Sequence, residues 1–220
     1  MPGIESDFQM ATLSHERLAA ACVILGASLL AAYAVLFILL LPVGSGTFDY
    51  PTLVVSPYWT ELALVALIGV ISLLAGLDAI HARLQGRGEL TGTVGLLLTK
   101  VALVLQACML TWELLLDPIV AGHPGSAFLL RDGVIAMAPA MVVFRWVFLI
   151  TTVVGALLFG GAIYRSRQFP NGAILLIVGG AAAYVVGPRV SVFLAIGGVA
   201  MFALGGVLIG SRLWRPPTAT

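Results

Sequence analysis

Long runs of apolar residues, interrupted by short polar segments, are the main pattern along this chain. A helix that crosses the hydrocarbon core of a bilayer needs about 20 mostly apolar residues. With soft boundaries, six runs qualify, at residues 18–41, 60–79, 93–116, 141–163, 173–186 and 190–210. The pattern predicts an all-α fold, a polytopic membrane helix bundle with six transmembrane helices, as one integral membrane domain over residues 1–220.

The last two runs lie very close together in the sequence. The fifth is the shortest, is rich in glycine and alanine, and is followed directly by Gly187-Pro188-Arg189. We expect these two runs to form a tight helical hairpin. The alternative is one broken, re-entrant unit, which is tolerated at membrane depth only where its irregular backbone is buried in protein or lines a water-filled cavity.

Composition agrees with a membrane location. Hydrophobic residues make up 60% of the chain and charged residues only 10%, whereas soluble domains carry about 25% charged residues. We therefore expect membrane lipids to surround the protein. The net charge of +1 gives no basic field that would attract nucleic acid, so no nucleic-acid partner is expected.

The arginines between the runs predict the orientation. Cytoplasmic loops carry an excess of Lys and Arg, and with six spans one side holds seven arginines and the other three. The richer side has Arg17, Arg83, Arg87, Arg165, Arg167, Arg212 and Arg215, and the other has Arg131, Arg145 and Arg189. We therefore expect both termini in the cytoplasm (N-in/C-in) and outer loops at residues 42–59 and 117–140. The expected location is the cell membrane, which is the plasma membrane or a bacterial inner membrane.

A polar stripe in the third run is the main candidate site. Glu113 and Asp117 are four residues apart and share a helix face, and Gln106 lies close to the same face two turns earlier. Because a lipid-facing helix has no use for such a stripe, we expect it to face other helices. Arg145 is the expected ion-pair partner, and Glu61 could join the cluster. The cluster would either pin helices together or line an outward-facing binding pocket.

Lys100 lies in the same run near its cytoplasmic end. A lysine at this depth can extend its ammonium group to the headgroups, so one interpretation is a membrane anchor. The other is an inner-side cation that faces the bundle and binds an anionic substrate or a buried acid.

Motifs of known enzymes and cofactor sites are missing from the sequence. It contains no GxSxG, HExxH, CxxC, phosphate-binding loop or dinucleotide fingerprint. Asp78 and His81 share a helix face but lack further ligands for a metal. We therefore predict no catalytic residue, no metal and no cofactor.

Pairs of glycines recur in the last three runs, at 160–161, 179–180, 197–198 and 205–206. Small residues let membrane helices approach closely, either within the bundle or in self-association or contact with other membrane subunits. The favoured hypothesis is therefore a non-enzymatic accessory, assembly or packing subunit. The alternative is a small carrier or lipid-binding protein with an outward-facing polar pocket between helices two to four. A third possibility is an intramembrane enzyme that uses Glu113 or Asp117 as its acid–base group.

Overall fold

The structure, a computed structural model, describes residues 2–41, 50–84, 89–123, 125–126, 128–131 and 133–215. Within these ranges the chain forms ten helices and no strand, which confirms the predicted all-helical fold. In chain order they are α1 (Pro2–Leu40), α2 (Tyr50–Val54), α3 (Trp59–Ala82), α4 (Glu89–Leu115), α5 (Asp117–Gly122), α6 (Phe128–Arg131), α7 (Val134–Met137), α8 (Pro139–Ser166), α9 (Asn171–Val190) and α10 (Val192–Leu213).

Five apolar segments are long enough to cross a membrane. They are Glu16–Leu40, Trp59–Ala82, Leu90–Gly122, Pro139–Ser166 and Val192–Leu213. The predicted fifth run is also helical, but its apolar part, Asn171–Gly187, is shorter than the other five. The third segment continues from α4 into α5 through a turn at Leu116, because Pro118 lacks the N–H that an unbroken helix would use.

The six long helices form a closed ring. Each packs against the next long helix in the chain, in the order α1, α3, α4, α8, α9 and α10, and α10 packs back against α1. The contact between α1 and α10 joins segments far apart in the sequence. The ring therefore has a central space that every long helix can face.

Close helix contacts involve glycines that the sequence singled out, such as Gly206, and also others, such as Gly26 and Gly69. A Cβ atom at Gly206 of α10 would lie 2.9 Å from the Cβ of Ala27 on α1, and one at Gly26 would lie 2.6 Å from the carbonyl oxygen of Gly69 on α3. A Cβ atom at Gly197, in contrast, would meet no atom of another described helix within 4 Å. Much of the glycine pattern thus serves packing within one bundle.

Helices α9 and α10 lie antiparallel and in close contact. Only Ser191 separates them, in an extended conformation with φ −166° and ψ 139°. Its hydroxyl oxygen accepts a hydrogen bond of 3.2 Å from the backbone N–H of Phe193, so Ser191 caps the start of α10. Farther along the two helices, Gly180 of α9 packs against the backbone of Phe202 and Gly198 on α10.

The four short helices α2, α5, α6 and α7 lie together at one end of the ring, which we call the short-helix end. Three of them fall in the predicted outer loop 117–140, and α2 falls in the predicted loop 42–59, of which residues 42–49 lie outside the described part of the chain.

Arg83 links three helices at the opposite end of the ring. Its guanidinium donates hydrogen bonds to the carbonyl oxygens of Leu213 at 2.8 Å, Arg215 at 3.2 Å and Arg212 at 3.3 Å. It also forms a 3.2 Å ion pair with Glu16. The last carbonyls of a helix have no partner within the helix, so Arg83 satisfies the end of α10 and joins α1, α3 and α10.

Candidate functional site: a lumen with one polar end

The ring encloses a lumen with a volume of about 190 Å³. All six long helices contribute lining residues, and most of these are aliphatic or aromatic. On α4 the lining positions extend from Thr99 to Glu113, which corresponds to about 21 Å along a helix axis. The lumen is therefore long, narrow and mainly apolar.

Polar lining residues are concentrated toward the short-helix end. They are Tyr33 on α1, Gln106 and Glu113 on α4 and Tyr184 on α9. Thr99 on α4 and Thr152 on α8 also line the lumen, farther from the short-helix end, and the Thr99 hydroxyl donates to the carbonyl of Gly95 in its own helix at 2.8 Å. The lumen thus combines a long apolar part with one polar end.

Tyr184 occupies a fixed position at this polar end. Its hydroxyl donates a 3.0 Å hydrogen bond to Oε1 of Gln106, which joins α9 to α4 across the ring. The aromatic side chains of Tyr184 and Phe148 on α8 pack edge to face, with ring centroids 6.4 Å apart and an interplanar angle of 87°. Three helices therefore meet through two side-chain contacts.

Glu113 lies between the lumen and a group of aromatic side chains. It lines the lumen and also a small cleft formed with Tyr33, Phe37 and Trp59. The indole Nε1 of Trp59 donates to the backbone carbonyl of Glu113 at 3.0 Å, which fixes α4 against α3. The Tyr33–Phe37 and Phe37–Trp59 ring centroids are 5.6 and 6.4 Å apart. Within the described residues, the Glu113 carboxylate forms no ion pair.

Asp117 lies beside the lumen but does not line it. It begins α5, is only 3% exposed, and accepts a hydrogen bond from the hydroxyl of Tyr50 on α2. Burial, followed by the charge of Glu113 and the hydrogen bond to Asp117, raises the pKa of Tyr50 above its ordinary value. The Tyr50 hydroxyl therefore stays protonated near neutral pH and serves as the donor.

Two predicted members of the polar cluster lie elsewhere. Arg145 is exposed and forms no ion pair with Glu113 or Asp117, all three being described residues, so the predicted pair is not formed. It lies one turn before Phe148, the first α8 residue to line the lumen, and does not line the lumen itself. Glu61 is exposed in the first turn of α3, where an acidic side chain interacts favourably with the helix dipole.

Lys100 is paired with a neighbouring helix and does not line the lumen. Its Nζ atom lies 2.6 and 2.8 Å from the two carboxylate oxygens of Asp78 on α3. The Asp78 side chain is 64% exposed, so this is a surface ion pair and not a buried site. His81 is one turn away, and its Nε2 atom lies 3.5 Å from the Thr93 hydroxyl. In the described ranges, no group of three His, Cys, Asp or Glu residues could hold a metal ion.

Tyr33, Tyr184 and Thr152 are site residues that the sequence analysis did not identify. Tyr33 and Tyr184 each lie inside an apolar run, where a phenol needs a hydrogen-bond partner from another helix. That requirement was the available signal for both tyrosines. Thr152 gave no such signal, because a threonine hydroxyl often bonds to the backbone of its own helix.

Comparison with models of protein families, with curated proteins and with solved structures finds no match to this chain.

Proposed function

We propose that the protein is an integral protein of the cell membrane with six spans and both termini in the cytoplasm. The closed ring supports six spans, because α9 occupies a position in it equivalent to those of the five longer apolar helices. At 20 residues, α9 is about 30 Å long, and its apolar part, Asn171–Gly187, covers about 25 Å, most of the hydrocarbon core. The arginine count supports the orientation, with the short-helix end outside.

We further propose that the protein binds a small amphiphile, with the apolar chain in the lumen and the headgroup at its polar end. The observation that carries this proposal is the apolar lumen of about 190 Å³ at the centre of the ring. An apolar cavity of about 150 Å³ in another protein stays dry and admits a benzene-sized guest. This lumen is larger, and its lining extends along the helices in the way that a chain requires.

The wall chemistry supports a chain as the guest. Leu73, Leu103 and Ile177 are among the aliphatic residues that line the lumen from α3, α4 and α9. Burial of apolar area contributes about 25 cal/mol per Å², so a chain gains affinity with each methylene that the lumen encloses. Gln106, Glu113 and Tyr184 offer hydrogen bonds where a headgroup would lie. The proposal differs from the predicted pocket in position, since the lumen lies among all six long helices.

The accessory-subunit hypothesis and the enzyme hypothesis stay predictions, as do self-association and contact with other membrane subunits.

Native mass spectrometry of the protein released from lipid nanodiscs tests the amphiphile proposal. Ala181 lines the lumen and its neighbour Ala182 is exposed, so Ala181→Leu and Ala182→Leu are matched variants. We expect the wild type and Ala182→Leu to retain one amphiphile per chain, and Ala181→Leu to lose most of it. Ala102→Leu narrows the lumen from α4 and should act like Ala181→Leu. Equal retention by all four proteins would contradict the proposal.

A further inference from the structure

We infer that the polar end of the lumen is a site for an organic ammonium group, so that the preferred ligand is a cationic amphiphile. This inference rests on the proposed function and names the ligand class of that lumen. Three observations carry it: the sign of the charges around the lumen, the aromatic rings at its polar end, and the Glu113 carboxylate among its lining residues, which has no ion-pair partner within the described ranges.

The charges near the lumen have one sign. Glu113 lines it, and Asp117 lies one turn farther along the chain. Among the described residues, no lysine, arginine or histidine lines the lumen. Lys100 is engaged by Asp78, and Arg145 is exposed and does not line the lumen. A phosphate or carboxylate headgroup would therefore meet a carboxylate with no counterion, which is costly in a buried site.

Aromatic rings surround the same end. Tyr33, Phe148 and Tyr184 line the lumen from three different helices. Ring faces attract ammonium groups, and this attraction increases when the cation is desolvated. The hydrogen bond to Gln106 and the contact with Phe148 hold the Tyr184 ring in place, so little ordering is needed when a ligand binds.

The Glu113 carboxylate supplies the negative charge that a bound cation needs. The Glu113 carboxylate forms no ion pair within the described part of the chain and lines the lumen. A cation that leaves water needs an opposite charge to offset its desolvation, and Glu113 is the group placed to supply it. A divalent metal ion would need about six oxygen ligands, whereas the rest of the lining is mainly apolar. An alkylammonium ion places its chain against those same apolar walls.

Isothermal titration of the protein in nanodiscs, with empty nanodiscs subtracted, tests the inference. The probes are dodecyltrimethylammonium, dodecanol and dodecyl phosphate, which share one chain and differ in headgroup charge. We expect the cation to bind the wild type most tightly. Glu113→Gln should weaken cation binding about tenfold or more and leave dodecanol affinity nearly unchanged. Glu61→Gln, which removes an exposed carboxylate of the same kind, should change neither.

A second pair of variants tests the aromatic contribution independently of Glu113. Tyr184→Phe retains the ring and should keep most of the cation affinity, whereas Tyr184→Leu should lower it about fivefold. Thermal unfolding of each variant shows whether it is folded.

The failures can be told apart. If dodecanol, dodecyl phosphate and the cation bind equally well, or if Glu113→Gln weakens all three alike, the organic-cation assignment is wrong and chain binding still holds. If none of the three binds the wild type, the proposed function itself fails, and the assignment fails with it.

Discussion

Replacing Tyr50 by phenylalanine removes one hydroxyl and tests how the short-helix end is held together. This hydroxyl donates to Asp117, which is 67 positions away in the chain and 3% exposed. Leaving a buried acceptor without its donor costs about 1–3 kcal/mol, and more when the acceptor is charged. We expect Tyr50→Phe to destabilise the protein by about 2 kcal/mol, measured by reversible unfolding in mixed detergent micelles.

Tyr58 provides the matched control, because it is 47% exposed and loses the same atom in Tyr58→Phe. We expect the control to change stability by less than about 0.5 kcal/mol. Combining Tyr50→Phe with Asp117→Ala completes a double-mutant cycle that removes any other effect of either change. A coupling energy of about 1 kcal/mol or more is expected for residues in direct contact. Equal effects of the two tyrosine variants, or strictly additive effects in the cycle, would refute the reasoning.

Three further changes test the ring. Arg83→Ala should lower the free energy of unfolding by about 1–3 kcal/mol, because the carbonyls that end α10 lose a charged donor. In the same unfolding assay, Arg83→Lys should be more stable than Arg83→Ala but less stable than the wild type. Gly206→Leu should push α10 away from α1 and lower the thermal midpoint clearly, whereas Gly197→Leu, at an open position, should leave it nearly unchanged. Lys100→Ala should cost less than about 1 kcal/mol, because its pair with Asp78 is largely exposed; a larger loss would indicate a buried role.

The long helices could be predicted from the sequence because length and apolarity alone define them. Each of the six predicted runs overlaps a long helix of the structure, and the ends of three runs differ from the helix bounds by one or two residues. Ring closure could not be predicted in this way. Membrane helices are apolar on lipid-facing and protein-facing sides alike, so periodicity does not separate buried Leu73 from exposed Ile71. The contact between α1 and α10, which closes the ring, therefore had no signal in the hydrophobic pattern.

The candidate site was predictable where a polar residue interrupts an apolar run. The stripe formed by Gln106, Glu113 and Asp117 lies at the polar end of the lumen or beside it. Arg145 was assigned by charge alone, but a charge near a helix end can reach water or headgroups without a partner. The aromatic contribution of Phe148 could not be foreseen, because an aromatic residue in an apolar run carries no mark of the side it faces.

The most direct measurement of the central claim is a crystal structure of the protein with a dodecylammonium ligand that carries bromine at the end of its chain. Anomalous scattering locates the bromine without reference to the protein coordinates. We predict one bromine peak inside the ring, beside Leu73 and Ile177, which disappears in Ala181→Leu. Bromine found only on the lipid-facing surface, with side chains filling the centre of the ring, would contradict the account.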